Sequence, residues 1–438
     1  MRPPLRTLFA ESLKIGCLGF GGPAGQIALM HRVFVDERRW IDDARFQRML
    51  AFCMLLPGPE AQQLATYAGW RLRGWAGGLI AGWLFVLPGA LVVLALSWFY
   101  ALHGRAPLVA AAFDGVKCAV VALVAEALLK IGRRALKTQA ALWIAVAAFV
   151  ALMLGAPFPL VIVVAGLLGA FVTFSLVEKV AAQRPDEGPA TTAEVYHVER
   201  PSPPTPSPPG GGGFALALAW LVLWVAPLAL IALTLGPQHI LFQIGLLFSL
   251  LACVTFGGAY ALLAYLAVET ASRGWLEPSQ MIDGLGLAET TPGPLILVNE
   301  FVGFIAGWGA GGIGLALAGA AIALWCTFAP SFVWIFAGAP FAERLEHNAR
   351  AQGALAAITA AVLGVIAKLA LFFATHALFR AQIRIGPLDL PDLTEPRFWM
   401  LALSAIAAAA LIRFKSPLLA VISACALAGL GAQALSLP

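Results

Sequence analysis

The sequence predicts an all-α polytopic membrane protein. It reads as two homologous six-segment halves in an inverted-topology repeat, joined by a linking helix, with about 13 membrane segments in all. Three observations carry this reading. Of 438 residues, 61% are hydrophobic and 12% charged, with a mean hydropathy of +0.86, whereas soluble domains carry about 25% charged residues. Short ordered motifs from the first part of the chain recur in the second. One Pro- and Gly-rich stretch separates two apolar blocks.

So few charges cannot coat a soluble chain of this length, which excludes a soluble enzyme, a secreted disulfide scaffold and a disordered chain. The net charge of +5 comes without a dense basic run, so it speaks to orientation in a lipid bilayer and not to nucleic acid. The six cysteines (Cys17, Cys53, Cys118, Cys253, Cys326 and Cys425) lie in apolar stretches with no CxxC pair, and read as small buried hydrophobes. The six His are scattered and form no HExxH, and no Walker A or GxSxG motif is present. No metal site, cofactor or catalytic site is expected, and neither an ATP-driven pump nor a membrane metalloprotease. Arg2 and Arg6 open a first helix rather than a signal peptide, because Lys14 interrupts the apolar run.

A span needs about 20 apolar residues. Candidate segments fall at 8–30, 46–70, 75–101, 110–133, 140–154, 157–177, 214–235, 240–268, 281–306, 311–337, 352–378, 397–412 and 417–436. Gly155, Pro157 and Pro159 split 140–154 from 157–177 into a helical hairpin. Residues 178–213 hold eight charges and eight prolines, a composition that favours an exposed linker. The domains are therefore 1–177, the linker 178–213, a linking helix at 214–235, and 240–438.

The halves are related by three motifs in the same order. Cys17-Leu18-Gly19-Phe20-Gly21-Gly22 recurs as Cys253-Val254-Thr255-Phe256-Gly257-Gly258. Arg38-Arg39-Trp40-Ile41 recurs as Arg273-Gly274-Trp275-Leu276, and Pro57-Gly58-Pro59 as Pro292-Gly293-Pro294. Trp and the first Pro are 17 residues apart in both copies. Further on, Lys130 aligns with Lys368. With six spans per half, the linking helix inverts the second half, the plan of many transporters. Charge supports this with the N-terminus inside, since Arg71, Arg73, Arg133, Arg134, Lys137, Arg344, Arg350, Arg413 and Lys415 then fall inside. The first loop conflicts, because Arg32, Arg38, Arg39, Arg45 and Arg48 fall outside. A re-entrant 46–70 segment would put them inside but would make the halves parallel.

Two motifs break helices. Gly21, Gly22 and Pro23 loosen a turn, and Pro-Gly-Pro cannot continue one. Irregular backbone at membrane depth must face protein or a wet cavity, and a half-helix starting there aims its N-terminal dipole inward. That suits an anion, although close helix packing or simple kinks would use the same residues. Ionisable residues in or beside the segments are Lys14, Glu60, Lys117, Glu126, Lys130, Glu289, Glu300 and Lys368; such residues pair or line pathways. The predicted substrate site comprises Lys14, Phe20, Gly21, Gly22, Pro23, Pro57, Gly58, Pro59, Gly257, Gly258, Pro292, Gly293 and Pro294. Backbone N–H groups near Gly21, Gly22, Gly58 and Gly293 would hold the anion, with charge from Lys14 or a first-loop Arg. Glu60, Glu289 and Glu300 are the proton-coupling candidates.

Phe20-Gly21-Gly22-Pro23, Arg38-Arg39-Trp40-Ile41, Leu56-Pro57-Gly58-Pro59, Tyr67-Ala68-Gly69 and Arg73-Gly74 resemble the chromate ion transporter family in its long, two-domain form. The resemblance covers nearly the whole chain outside the linker. It implies a multi-pass protein of the bacterial inner membrane that exports the chromate dianion, confers chromate resistance, and uses the proton-motive force rather than ATP. The second copy departs from the pattern, with Ala259 where Pro23 stands and Leu295 where Glu60 stands. A transporter of another oxyanion such as sulfate would share these features. A membrane enzyme would need clustered catalytic groups, and the sequence has none. A homodimer is left open.

Overall fold

The computed structural model describes residues 3–182, 213–256, 259–339, 348–385 and 388–435. The first half contains α1 (Leu5–Leu18), α2 (Gly22–His31), a π-helical turn (Arg32–Glu37), α3 (Asp43–Met54), α4 (Glu60–His103), α5 (Pro107–Ala135), α6 (Gln139–Met153) and α7 (Phe158–Ala182). After α8 (Gly213–Thr234) come α9 (Ile240–Val254), α10 (Ala259–Ser272), α11 (Pro278–Thr290), a 3-10 turn (Leu295–Leu297), α12 (Val298–Gly311), α13 (Ile313–Gly338) and α14 (Ala349–Leu378). A hairpin of β1 (Gln382–Ile385) and β2 (Leu388–Pro391) leads to α15 (Phe398–Ile412) and α16 (Leu418–Ala434). The strands pair antiparallel with Gln382 opposite Pro391. The all-α membrane reading holds: among the described residues, five helices are long and apolar enough to cross a bilayer. The expected linker at 178–213 starts late, because α7 runs on to Ala182, and its remainder lies outside the described residues.

α4 is one helix in name only. Arg73 (φ −140) and Gly74 (φ 65, ψ −156) break the helical geometry, and the chain reverses there. A Cβ on Gly69 would overlap the carbonyl oxygen of Gly77, so the two arms lie against each other. Gly312 (φ 78, ψ −160) performs the same reversal between α12 and α13, where a Cβ on Gly307 would overlap the Leu315 carbonyl. Positive φ with this ψ is open to glycine and closed to other residues.

With that reversal counted, α1 to α7 and α9 to α16 form the same series of eight elements. The irregular turns account for the changing offset between the copies. Phe20 to Phe256 spans 236 residues, Trp40 to Trp275 spans 235, and Gly74 to Gly312 spans 238. The π-helical turn at Arg32–Glu37 absorbs the one residue that the first copy has in excess. The 3-10 turn Leu295–Leu297 supplies the three that the second copy adds after its Pro-Gly-Pro.

Between these turns lies a third matched conformation. Arg39 has φ 51 and its counterpart Gly274 has φ 67. The left-handed region costs a non-glycine residue roughly 1–2 kcal/mol, and Arg39 is exposed. Arg39→Gly is therefore expected to stabilise the protein by about 1 kcal/mol. Thermal unfolding of the purified protein checks this, and a lowered midpoint would show that the Arg39 side chain makes a contact of greater value.

Four of the expected segments (8–30, 46–70, 240–268 and 281–306) are pairs of short helices divided at a break, not single rods. Three of these pairs fold back on themselves. After α2 and the π turn, Arg38 reaches Glu11 of α1, and Glu37 lies 3.6 Å from Lys14. Phe52 of α3 and Tyr67 of α4 meet ring to ring at 5.6 Å; along a continuous helix they would be about 22 Å apart. A Cβ on Gly284 of α11 would overlap the Phe301 ring of α12. Hydropathy registers how apolar a stretch is but not whether it turns back, so the reversals were not readable from it.

The long arm of α4, together with α8 and α13, holds the centre through aromatic stacking. Trp83 and Trp220 lie on Phe332 at 5.5 and 4.7 Å, pairs worth about 0.5–1.5 kcal/mol each beyond their buried area. This core fixes the walls against which the helix breaks are set.

Candidate functional site

The helix breaks meet at the interface between the halves. Gly58 has φ 110 and Gly293 φ 97. The Gly58 N–H donates to the Thr255 carbonyl at 2.8 Å, and the Gly293 N–H donates to the Gly19 carbonyl at 3.0 Å. Gly58 corresponds to Gly293, and Gly19 to Thr255. The two bonds are thus one bond written twice: each Pro-Gly-Pro ties to the glycine-rich break of the opposite half. Gln26 of α2 closes the junction, its Nε2 donating to the carbonyls of Gly293 (2.6 Å) and Gly19 (3.1 Å). On the other side, Gln63 Nε2 donates to the Pro57 carbonyl at 2.6 Å. Gly89 of α4 packs so closely on the Pro292 carbonyl that a Cβ there would overlap it.

Pro23, Gln26, Gly58, Pro59, Glu60 and Thr255 line a small cavity at this junction, together with the segment Pro294–Ile296. Its free volume is about 20 Å³, room for about one water. The first turns of α2 and α4 open onto it, as expected of broken helices that present their N-terminal ends. Gly21 (φ 85) is the left-handed residue before α2, and Pro23 lies in the first turn.

The expected site residues thus fall into groups. Pro23, Gly58, Pro59, Glu60 and Pro294 line the cavity. Pro57 and Pro292 support it through their carbonyls, and Gly293 through its cross-half bond. Phe20, Gly21 and Gly22 form the first break; Phe20 is 39% exposed. Gly257 and Gly258 lie outside the described residues. Lys14 does not line the cavity: its Nζ pairs with Glu37, and with Glu11 at 4.0 Å. The N–H groups of Gly58 and Gly293, expected to face an anion, are instead engaged by carbonyls of the opposite half. Glu289, at the end of α11, accepts from the Tyr260 hydroxyl at 2.8 Å. Glu300 is buried in the first turn of α12, with no hydrogen-bond partner for Oε2. Glu300 is not in register with Glu60: beyond the added 3-10 turn Glu60 matches Val298, and Glu300 matches Gln62.

Gln26 was missed because only ionisable residues were sought, although an amide within an apolar segment was a readable signal. A buried polar cluster was also missed. The Tyr100 hydroxyl donates to Asp283 Oδ2 at 2.8 Å, and Lys117 Nζ lies 3.7 Å from Asp283 Oδ1 and 2.8 Å from Asp114. Lys117 was noted in the sequence; its partner Asp283 comes from the other half. Lys130 pairs with Glu126 at 2.5 Å, whereas its counterpart Lys368 donates to the Leu152 carbonyl at 2.7 Å.

The first loop is largely an internal ion network, which fits a solvated connector. His31 is held by Asp43 (Nε2 to Oδ1, 2.8 Å) and Asp36 (3.4 Å). The hydrogen bond to Asp43, with help from Asp36, raises the His31 pKa above 6.5. A raised folded-state pKa adds stability that is fully present below about 6.5 and is lost as pH rises through the folded value. The stability advantage of wild type over His31→Gln should therefore be largest near pH 5 and shrink at alkaline pH. A difference in unfolding midpoint that stays constant with pH would refute it.

A helical membrane protein whose two homologous halves join through paired helix breaks has the build of a transporter. The chain belongs to the chromate transporter family, which it matches over residues 6–170 and 242–430. It is 34% identical over 374 residues to a chromate transport protein of Pseudomonas aeruginosa, covering 83% of this chain and 80% of that one. Against a chromate transport protein of Cupriavidus metallidurans it is 28% identical over 363 residues, covering 83% and 80%. An uncharacterized transporter of Bacillus subtilis is 31% identical over 134 residues, which make up 31% of this chain but 68% of that shorter protein. No solved structure matches this chain.

Proposed function

We propose that the protein exports chromate across the bacterial inner membrane at the expense of the proton-motive force, binding the dianion between the helix breaks. Membership of the chromate transporter family and the names of the relatives from Pseudomonas aeruginosa and Cupriavidus metallidurans supply the substrate. The reciprocal bonds from Gly58 to Thr255 and from Gly293 to Gly19 are the observation that carries the site. In this arrangement the cavity is too small for a tetrahedral dianion. Parting the halves frees both glycine N–H groups, and the substrate oxygens take the place of the two carbonyls. Gly21 and Gly22 contribute backbone at the same junction, and Pro23, Pro57, Pro59, Pro292 and Pro294 keep it from closing into helix. Lys14, 47% exposed beside Glu37, supplies charge on the approach.

The two domains are the halves 1–177 and 240–438, inverted by α8 about an axis in the membrane plane. Folded-back pairs at α1–α2 and α3–α4 bring Arg38, Arg39, Arg45, Arg71 and Arg73 to one face. The first half then has an even number of crossings, so one linking helix still inverts the second. With this face inside, the first loop no longer conflicts with the positive-inside rule. Alternating access is the rocking of one half against the other, and Glu60, Glu289 and Glu300 are the carboxylates that carry the coupling proton.

The test is uptake of labelled chromate into inside-out vesicles under an imposed proton gradient, with sulfate as competitor. Gradient-driven uptake that excess sulfate leaves intact is expected; no gradient-driven uptake, or sulfate preferred over chromate, would reject the reading. Changing Glu60, Glu289 and Glu300 singly to Gln should leave chromate counterflow in place and remove the response to the gradient in at least one variant. A wild-type response in all three would dismiss them as proton carriers.

A further inference from the structure

A second polar space shares no lining residue with the cavity at the helix breaks. The starts of α5 and α15, the end of α16 and the segment after α14 border an open cavity of about 520 Å³. Its charged lining is Asp114, Arg380 and Arg397, joined by Gln433 and Trp399. Asp114 is already paired with Lys117 at 2.8 Å. Neither arginine forms an ion pair among the described residues. Of the nearby acids, Asp392 is held by Thr394, and Glu395 makes no ion pair among the described residues. Two guanidinium groups, neither held in an ion pair among the described residues, therefore line one cavity. A guanidinium presents paired N–H donors that match a tetrahedral oxyanion, and two of them balance a dianion.

Size separates this space from the junction of the helix breaks. About 20 Å³ there admits about one water, whereas 520 Å³ accepts an oxyanion with part of its hydration shell. We infer that Arg380 and Arg397 form a second binding site for a tetrahedral oxyanion, separate from the helix breaks. Two sources can supply that chemistry. One is a free inorganic dianion. The other is the phosphate of an anionic lipid, because Leu108 and Phe398, next in sequence to the lining residues Pro107 and Trp399, are 69% and 76% exposed and would meet acyl chains. The inference does not depend on chromate being the transported ion.

The full chain in phosphatidylcholine nanodiscs tests this with labelled sulfate as the probe, and with added phosphatidylglycerol counted per protein by native mass spectrometry. Arg380→Gln/Arg397→Gln is expected to weaken sulfate binding at least tenfold, or to release bound phosphatidylglycerol. The first result assigns the site to a free oxyanion, the second to a headgroup. Unchanged sulfate binding together with unchanged lipid retention would overturn the inference. Arg380→Lys/Arg397→Lys keeps the charge and removes the paired donors, so it serves if the Gln variant does not fold. It should show the same loss to a smaller degree, and wild-type behaviour in it would likewise overturn the site. Chromate uptake into vesicles is read alongside, so that failure of the transport reading is seen separately from failure of this one.

Discussion

Gly58→Leu is expected to abolish oxyanion flux while the protein still accumulates in the membrane. The residue has φ 110, a conformation that costs a side-chain-bearing residue on the order of 1–3 kcal/mol. A Cβ there would stand 3.1 Å from Gln63 Nε2 and 3.5 Å from Ser331 Oγ, and a leucine would push into both. The Gly58 N–H would then lose its approach to Thr255, and the cavity beside Glu60 would fill. Gly293→Leu should fail in the same way, because it occupies the matching position (φ 97) with Leu297 Cδ1 2.9 Å from its Cβ. Gly236→Leu is the control: it has φ 90 but nothing within 4 Å of its Cβ, so it bears comparable strain away from the junction. Vesicle flux normalised to membrane-inserted protein decides between them. Wild-type flux in Gly58→Leu would remove the breaks from the mechanism, and equal loss in Gly236→Leu would reduce the effect to strain.

The breaks themselves were legible because proline and glycine act locally. Pro57-Gly58-Pro59 cannot be helical in any context, and its second copy at 292–294 marked the duplication. The reversal at Arg73–Gly74 was legible for a similar reason, as a gap between apolar runs at 70 and 75. What joins the breaks was not legible. A backbone carbonyl carries no side-chain signature, so nothing in the sequence paired Gly58 with Thr255 or Gly293 with Gly19. The folded-back arms escaped for a different reason. A hydrophobic window reads 8–30 or 46–70 as one span whether the chain crosses or returns, and only contacts such as Phe52 with Tyr67 tell the two apart. The charge conflict in the first loop was the one trace of this in the sequence. It pointed to a re-entrant 46–70 but not to the same behaviour at 8–30.

Lys117→Met is expected to destabilise the protein by about 3–5 kcal/mol, the loss typical of removing one partner from a buried ion pair. Lys117 and Asp283 are 13% and 6% exposed at their side chains. Without the ammonium, Asp283 keeps only the Tyr100 hydroxyl, and its Oδ1 already has no hydrogen-bond partner. Asp114 is less affected, since at 34% exposure it can turn to water. Adding Asp283→Asn to Lys117→Met should recover most of the loss, because two neutral side chains of similar volume leave no uncompensated charge. Unfolding of the two single variants and the double variant forms a cycle that isolates the pair. Additive losses would show that Lys117 and Asp283 act independently, in which case Lys117 serves Asp114 alone. The pair has a consequence for transport as well. Tyr100 and Lys117 belong to the first half and Asp283 to the second, so under the proposed rocking their contacts would cross the surface that opens. Under that proposal the cluster would break and re-form in each cycle and would hold the closed arrangement against the open one. The double neutral variant, though stable, should therefore exchange chromate at a rate different from wild type.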